Sequence, residues 1–211
     1  MTRVALVLHS GGMDSTVCLF LAKEAGRDVI SLGIDHGQQQ GIELHYARAI
    51  AERMGLRRIE LEVRWDKPNL PSLKNRSIDE IRGSLSPAIL PGRNVLFLSL
   101  ACAEAAGIEA SEVWIGVNAI DYSGYLDCRP EFIEAFQRMI GLAMPHAPRI
   151  VAPLLDWTKP RIAAEAARFG LDCRSTWSCY APRQGDNAVV PCGECDACIL
   201  NEYAWSLSEH K

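Results

Sequence analysis

The sequence contains no run of 18 apolar residues, and its first residues pass into a β-favouring run without a cleavable secretory pattern. A membrane span is not expected, and a cytoplasmic location is. Positive charge is also scarce, with 22 lysines and arginines against 26 aspartates and glutamates, a net charge of −4. That balance offers nucleic acid or an anionic membrane no global attraction, so small anions must be captured locally. The lysine-bearing GxxxxGK(S/T) loop of kinases and GTPases is missing as well. What is present is an ordinary globular composition, 48% hydrophobic over 211 residues, enough for one well-buried domain with an appendage.

Residues 4–8 form a short apolar strand, cut off by Ser10-Gly11-Gly12-Met13-Asp14-Ser15 before a helix over 14–25 that Gly26 closes. Unpaired amides at such a turn, the helix dipole and the missing Cβ atoms together make a cradle for phosphate. A strand over 29–34 follows and ends at Asp35-His36-Gly37. Next come a helix with Ala47, Ile50, Ala51 and Met54 on one face and a strand over 58–63. This alternation predicts a doubly wound α/β fold with a mostly parallel five-stranded sheet and helices on both faces. In such a sheet the SGGMDS turn and Asp35 share the rim where nucleotides bind. Asp35 and His36 read equally as a nucleotide contact or a solvated turn.

Residues 65–88 carry three prolines and no sustained period, which reads as an irregular segment or lid. Arg93 then stands where a helix over 95–106 begins, an unfavourable place for a cation unless an anion is present. A strand over 113–117 leads into a polar loop, 118–130, with two tyrosines, two aspartates, a serine and an arginine. It reads as a ligand-binding surface. A helix over 131–142 buries Phe132, Ile133, Phe136 and Ile140, and a strand is expected over 150–155. Thr158-Lys159-Pro160 starts a further helix with a capping hydroxyl, and Lys159 reads as a second anion partner or a solvated lysine.

Of eight cysteines, four fall at Cys179, Cys192, Cys195 and Cys198. Four thiolates satisfy a tetrahedral Zn²⁺ completely and leave no open position, so the site is structural. An iron–sulfur cluster is the rival, and the tight CxxCxxC spacing favours zinc. Cys18 and Cys102 lie in apolar helices as packing residues. The division expected is 1–172 for the nucleotide-binding body and 173–211 for the zinc-binding extension.

Ser-Gly-Gly-Met-Asp-Ser resembles the pyrophosphate loop of the adenylating N-type ATP pyrophosphatases. Four motifs together resemble the QueC family of 7-cyano-7-deazaguanine synthases: His-Ser-Gly-Gly-Met-Asp-Ser-Thr at 9–16, Leu-Pro-Gly-Arg-Asn at 90–94, Asp-Tyr-Ser-Gly-Tyr-Leu-Asp-Cys-Arg-Pro-Glu-Phe at 121–132, and Thr-Trp-Ser-Cys-Tyr with Pro-Cys-Gly-Glu-Cys-Asp-Ala-Cys within 176–198. The stretch 35–40 and Leu126 depart from the usual family pattern. The resemblance implies a C–N ligase that uses ATP and Mg²⁺ to turn 7-carboxy-7-deazaguanine and ammonia into a nitrile, as a homodimer. It implies an ATP cradle of His9, Ser10, Gly11, Gly12, Met13, Asp14, Ser15, Thr16 and Asp35. Ser10, Asp14, Ser15, Arg93 and Lys159 would carry the chemistry, and Arg93, Asn94, Asp121, Tyr122, Ser123, Tyr125, Asp127 and Arg129 would read the deazaguanine. A paralogue that stops at an amide, with a protein amine as acceptor, remains open. A tRNA-thiolating relative is disfavoured by the net acidity.

Overall fold

The structure, a computed structural model, describes residues 3–37, 41–64, 73–83, 92–118, 124–186 and 188–208. Its centre is one sheet of parallel strands, β1 (Val4–Leu8), β2 (Asp28–Asp35), β3 (Arg57–Glu62), β4 (Glu112–Trp114) and β5 (Arg149–Val151), in the order β3-β2-β1-β4-β5. Parallel strands need crossovers. These run through α1 (Met13–Glu24), α2 (Ile42–Arg53), α3 (Ile78–Gly83), α4 (Arg93–Gly107) and α5 (Pro130–Ala143). Beyond β5 lie α6 (Lys159–Arg168), a short antiparallel pair β6 (Arg183–Gln184) and β7 (Val189–Val190), and α7 (Asp196–Ser208).

The apolar run of β1 is explained by burial on both faces. Leu6 joins Leu32, Val113 and residues of α4 and α5 in one core, while Ala5 and Val7 join α1 and α6 in the other. Helices therefore cover both faces, as expected. Because the strand order reverses between β1 and β4, a crevice opens there at the carboxyl ends of the strands, where α/β sheets hold ligands. At the opposite end Glu112 is buried among Arg27, Arg149 and the Trp114 indole. Burial opposes its ionisation, but the bonds from Arg27 and Trp114 prevail and keep the carboxyl below its usual range.

Four sequence expectations are corrected. The strand expected over 113–117 ends at Trp114, and although the Ile115 N–H still donates to Val151 O, the chain then passes over the start of α1. The strand expected over 150–155 ends at Val151, since Pro153 has no N–H to donate and 153–156 form a turn. Thr158 precedes α6 but makes no side-chain capping bond. Residues 65–88 are not wholly irregular: Ser77 and Glu80 form a reciprocal capping box that starts α3. The described part is also tied to the cysteine segment. Lys74 pairs with Cys195, the Asn75 N–H donates to Glu194 O, and Arg76 Nε donates to Asp196 Oδ1 at 2.9 Å.

Candidate active site

A cavity of about 270 Å³ occupies the crevice between β1 and β4. Ser10, Gly12, Met13, Asp14 and Ser15 form one wall, at the β1–α1 turn. Two glycines there have no room for a side chain. Gly11 has φ +96°, and a Cβ on it would stand 2.1 Å from the Glu43 carbonyl oxygen. A Cβ on Gly116, where the chain leaves β4, would meet the Asp14 backbone at 3.0 Å. The turn is cross-braced by its own hydroxyls: Ser15 Oγ lies 3.2 Å from Ser10 Oγ and donates to Gly12 O, and Thr16 Oγ1 donates to Gly12 O at 2.8 Å. Beneath it, His9 is buried with its ring nitrogens 3.0 Å from Ser31 Oγ and 3.2 Å from Thr16 Oγ1. Burial, helped by the Arg58 guanidinium, pushes its pKa down to about 3, so the imidazole is neutral.

Lys159 is not a solvated lysine. It is buried at the start of α6, and its Nζ donates to Asp14 Oδ2 at 2.5 Å. The other oxygen, Oδ1, is buried and has no hydrogen-bond partner among the described residues. Arg93 stands at the first turn of α4 with its guanidinium 5.6 Å from the Phe97 ring centroid, and its buried Nε likewise lacks a partner there. A buried donor and a buried acceptor left unsatisfied in residues that line the cavity call for a further partner, and a polar ligand is one such partner. Asp127 Oδ2 accepts from the Asn94 N–H at 2.9 Å, and Asn94 Nδ2 donates to Asp127 O at 3.1 Å. Asp127 thus caps α4 from a distant loop and fixes Arg93 beside it. Tyr125 also lines the cavity. Arg129 is exposed just before α5 and is not in the wall. Asp35 is taken by Arg64 and the Gly37 N–H, and neighbouring His36 lines the cavity instead. Asp121, Tyr122, Ser123, Leu90, Pro91 and the 38–40 stretch lie outside the described residues.

Three wall features were not read from the sequence. Glu43, on the first turn of α2, lines the cavity; burial pushes its carboxyl up to about 7, with Arg93 opposing. Its position looked like that of any first-turn acid. The other two come from the cysteine segment: Trp177, Ser178 and Tyr180, and then Leu200 and Asn201 of α7, close the cavity. Trp177 joins the two parts, with its N–H donating to Gly11 O and its indole to Cys179 O.

Behind that wall, the Sγ atoms of Cys179, Cys192, Cys195 and Cys198 lie within 4.8 Å of one another. Cys179–Cys192 and Cys192–Cys198 separations of 3.6 and 3.9 Å bracket the edge of about 3.8 Å expected for a tetrahedron of sulfurs about 2.3 Å from one ion. The Cys192 and Cys195 amides donate to neighbouring sulfurs, which suits thiolates. The donor set and its convergence fit a metal ion.

The family model for "Queuosine biosynthesis protein QueC" matches residues 4–209. The chain belongs to the QueC family. Among QueC-family relatives, 7-cyano-7-deazaguanine synthase 2 of Rhodopseudomonas palustris (strain HaA2) is 49% identical over 203 residues, covering 96% of this chain and 97% of that protein. The 7-cyano-7-deazaguanine synthase of Rhodopirellula baltica is 38% identical, covering 97% and 88%. In fold, the chain is similar to the U34-tRNA thiolase NcsA of Methanococcus maripaludis, solved with its 4Fe–4S cluster, at a TM-score of 0.52 and 14% identity over 99% of this chain and 66% of that one. It is also similar to the NMN synthetase of Francisella tularensis, at 0.50 and 15% over 80% and 61%. The QueC membership makes this chain an enzyme, and the cavity at the glycine turn is its candidate active site.

Proposed function

We propose that this QueC-family enzyme converts 7-carboxy-7-deazaguanine and ammonia into 7-cyano-7-deazaguanine, consuming ATP as a C–N ligase of queuosine biosynthesis. The observation that carries the reading is the glycine turn at the β1–β4 switch point, backed by Asp14, Lys159 and Arg93 in one cavity. The substrate carboxylate attacks the α-phosphorus of ATP, pyrophosphate leaves, and an acyl adenylate forms. Ammonia attacks its carbonyl carbon and AMP leaves, giving the amide. The amide oxygen then attacks the α-phosphorus of a second ATP and pyrophosphate leaves; loss of both N–H protons and departure of AMP with the C–O electron pair give the nitrile. No protein nucleophile is required. The amides of 10–15 with Ser10 and Ser15 would hold the phosphates. Lys159 and Arg93 would neutralise charge that develops on oxygen, and the walls would align the reactants.

Asp14 Oδ1, buried without a partner, suits Mg²⁺, which would supply further charge neutralisation. Arg93, Asn94 and Tyr125 would face the deazaguanine, together with Asp121, Tyr122 and Ser123, while Asp127 and Arg129 would support that loop. Zn²⁺ is the reading for the four thiolates, because they converge on one point without an open position. In this account 1–172 form the adenylating body and 173–211 the metal-held wall, in a cytoplasmic homodimer. The synthase names of the relatives favour the nitrile over the amide-stopping paralogue.

The test is AMP and pyrophosphate release that depends on 7-carboxy-7-deazaguanine. Asp14→Ala is expected to lower it by about 100-fold or more, the scale of losing an electrostatic stabiliser, with an unchanged circular dichroism spectrum. Near-normal release from that variant would remove Asp14 from the site.

A further inference from the structure

Glu43 enters the cavity from α2, a helix whose first turn is pressed against the phosphate turn so closely that Gly11 tolerates no Cβ beneath the Glu43 carbonyl. Glu43 thus lines the same cavity as Ser10, Gly12, Asp14 and Arg93, where the synthase reading brings the α-phosphate and the activated carbon together. We propose that Glu43 is the general base of the amine-transfer half of the reaction, a role that rests on the synthase reading above.

Both transfer steps release a proton. In the first, the ammonia nitrogen bonds to the acyl carbon, the bond from that carbon to the AMP oxygen breaks, AMP departs with the electron pair, and one N–H proton goes to Glu43. In the second, the O-adenylated amide has already given one proton to solvent. Its remaining N–H proton goes to Glu43, the nitrogen lone pair closes the carbon–nitrogen triple bond, and AMP leaves with the C–O electron pair. Glu43 returns its proton to solvent between steps.

The other groups of the wall are committed. Asp14 is held by Lys159 through Oδ2, with Oδ1 given to Mg²⁺ in the synthase reading, Asp127 accepts from the Asn94 amide, and His9 lies behind the turn between Ser31 and Thr16. Arg93 is a cation and His36 packs against Phe97 at 5.3 Å between ring centroids. Burial pushes the Glu43 carboxyl up to about 7 against the opposing pull of Arg93, which places a carboxylate where a general base works best near neutral pH.

The experiment separates the two halves. Substrate-dependent exchange of labelled pyrophosphate into ATP reads adenylation alone, and amide plus nitrile formation reads transfer. Glu43→Gln is expected to keep exchange within about threefold of the parent while transfer falls by about 100-fold or more, the usual contribution of a general base. Glu43→Ala is expected to regain transfer when formate is added, which a packing role would not allow. Normal transfer in Glu43→Gln overturns the inference, as does parallel loss of exchange, or Glu43→Ala that formate leaves inactive. Absence of exchange in the parent protein overturns the synthase reading itself, and this inference with it.

Discussion

His9 lies directly under the phosphate turn and holds a neutral ring between two hydroxyls. Its pKa in the fold is about 3, below the ordinary 6.5, so between those values the unfolded chain binds more protons than the native one. Stability from this residue is therefore complete above pH 6.5 and is lost as pH falls toward 3, at up to about 1.4 kcal/mol per pH unit. Urea denaturation at pH 7, 6 and 5 should show that slope in the parent and a shallower one in His9→Asn; an identical slope would mean the ring is not buried neutral. Single residues were also where the sequence was hardest to read. Ser10, Asp14 and Ser15 announce themselves because their neighbours in sequence are their neighbours in space. Lys159 read as either an anion partner or a solvated lysine, since its partner lies 145 positions away and only the fold buries it against Asp14. Glu43 stayed hidden for the same reason.

At the scale of elements, the turn between β1 and α1 works because α2 and the chain after β4 press on it at Gly11 and Gly116. Gly11→Ala must place a side chain at φ +96° and push the first turn of α2 aside. We expect a loss of about 1–3 kcal/mol from backbone strain, before any repacking, and weaker ATP binding in calorimetry. Unchanged stability and binding would show that the turn and α2 are not in close contact. The helices and the centres of the strands were legible, because apolar period and glycine stops are local signals. The ends of β4 and β5 were not, since pairing with neighbours decides where a strand stops. The Ser77–Glu80 capping box was legible and overlooked among the prolines around it.

In the whole molecule, the cysteine segment brings four thiols together in a set that fits a metal ion, and it also lines the cavity at the glycine turn. Its four ligands were plain from spacing; its contacts with Trp177, Tyr180 and Asn201 in the cavity were not, because no spacing reports which surface a segment will face. Structural zinc sites carry roughly 10–16 kcal/mol of apparent binding energy, comparable to the roughly 5–15 kcal/mol that holds a domain together. Chelation, or Cys195→Ser, is therefore expected to release 173–208 together with 73–83, which is fastened to it through Lys74, Asn75 and Arg76. Limited proteolysis should cut those segments first while the sheet persists, and substrate affinity should fall with them. Elemental analysis should find one zinc per chain, and a metal-free protein of full activity would refute this account.

The central claim is that one cavity activates the same carbon twice. Mass spectrometry of the product from 7-carboxy-7-deazaguanine, ammonia and ATP, run beside a count of AMP, tests it most directly. The account predicts the cyano compound, with two AMP and two pyrophosphates released for each molecule formed. A product that halts at the amide with one AMP, or that becomes attached to a protein amine, would contradict it.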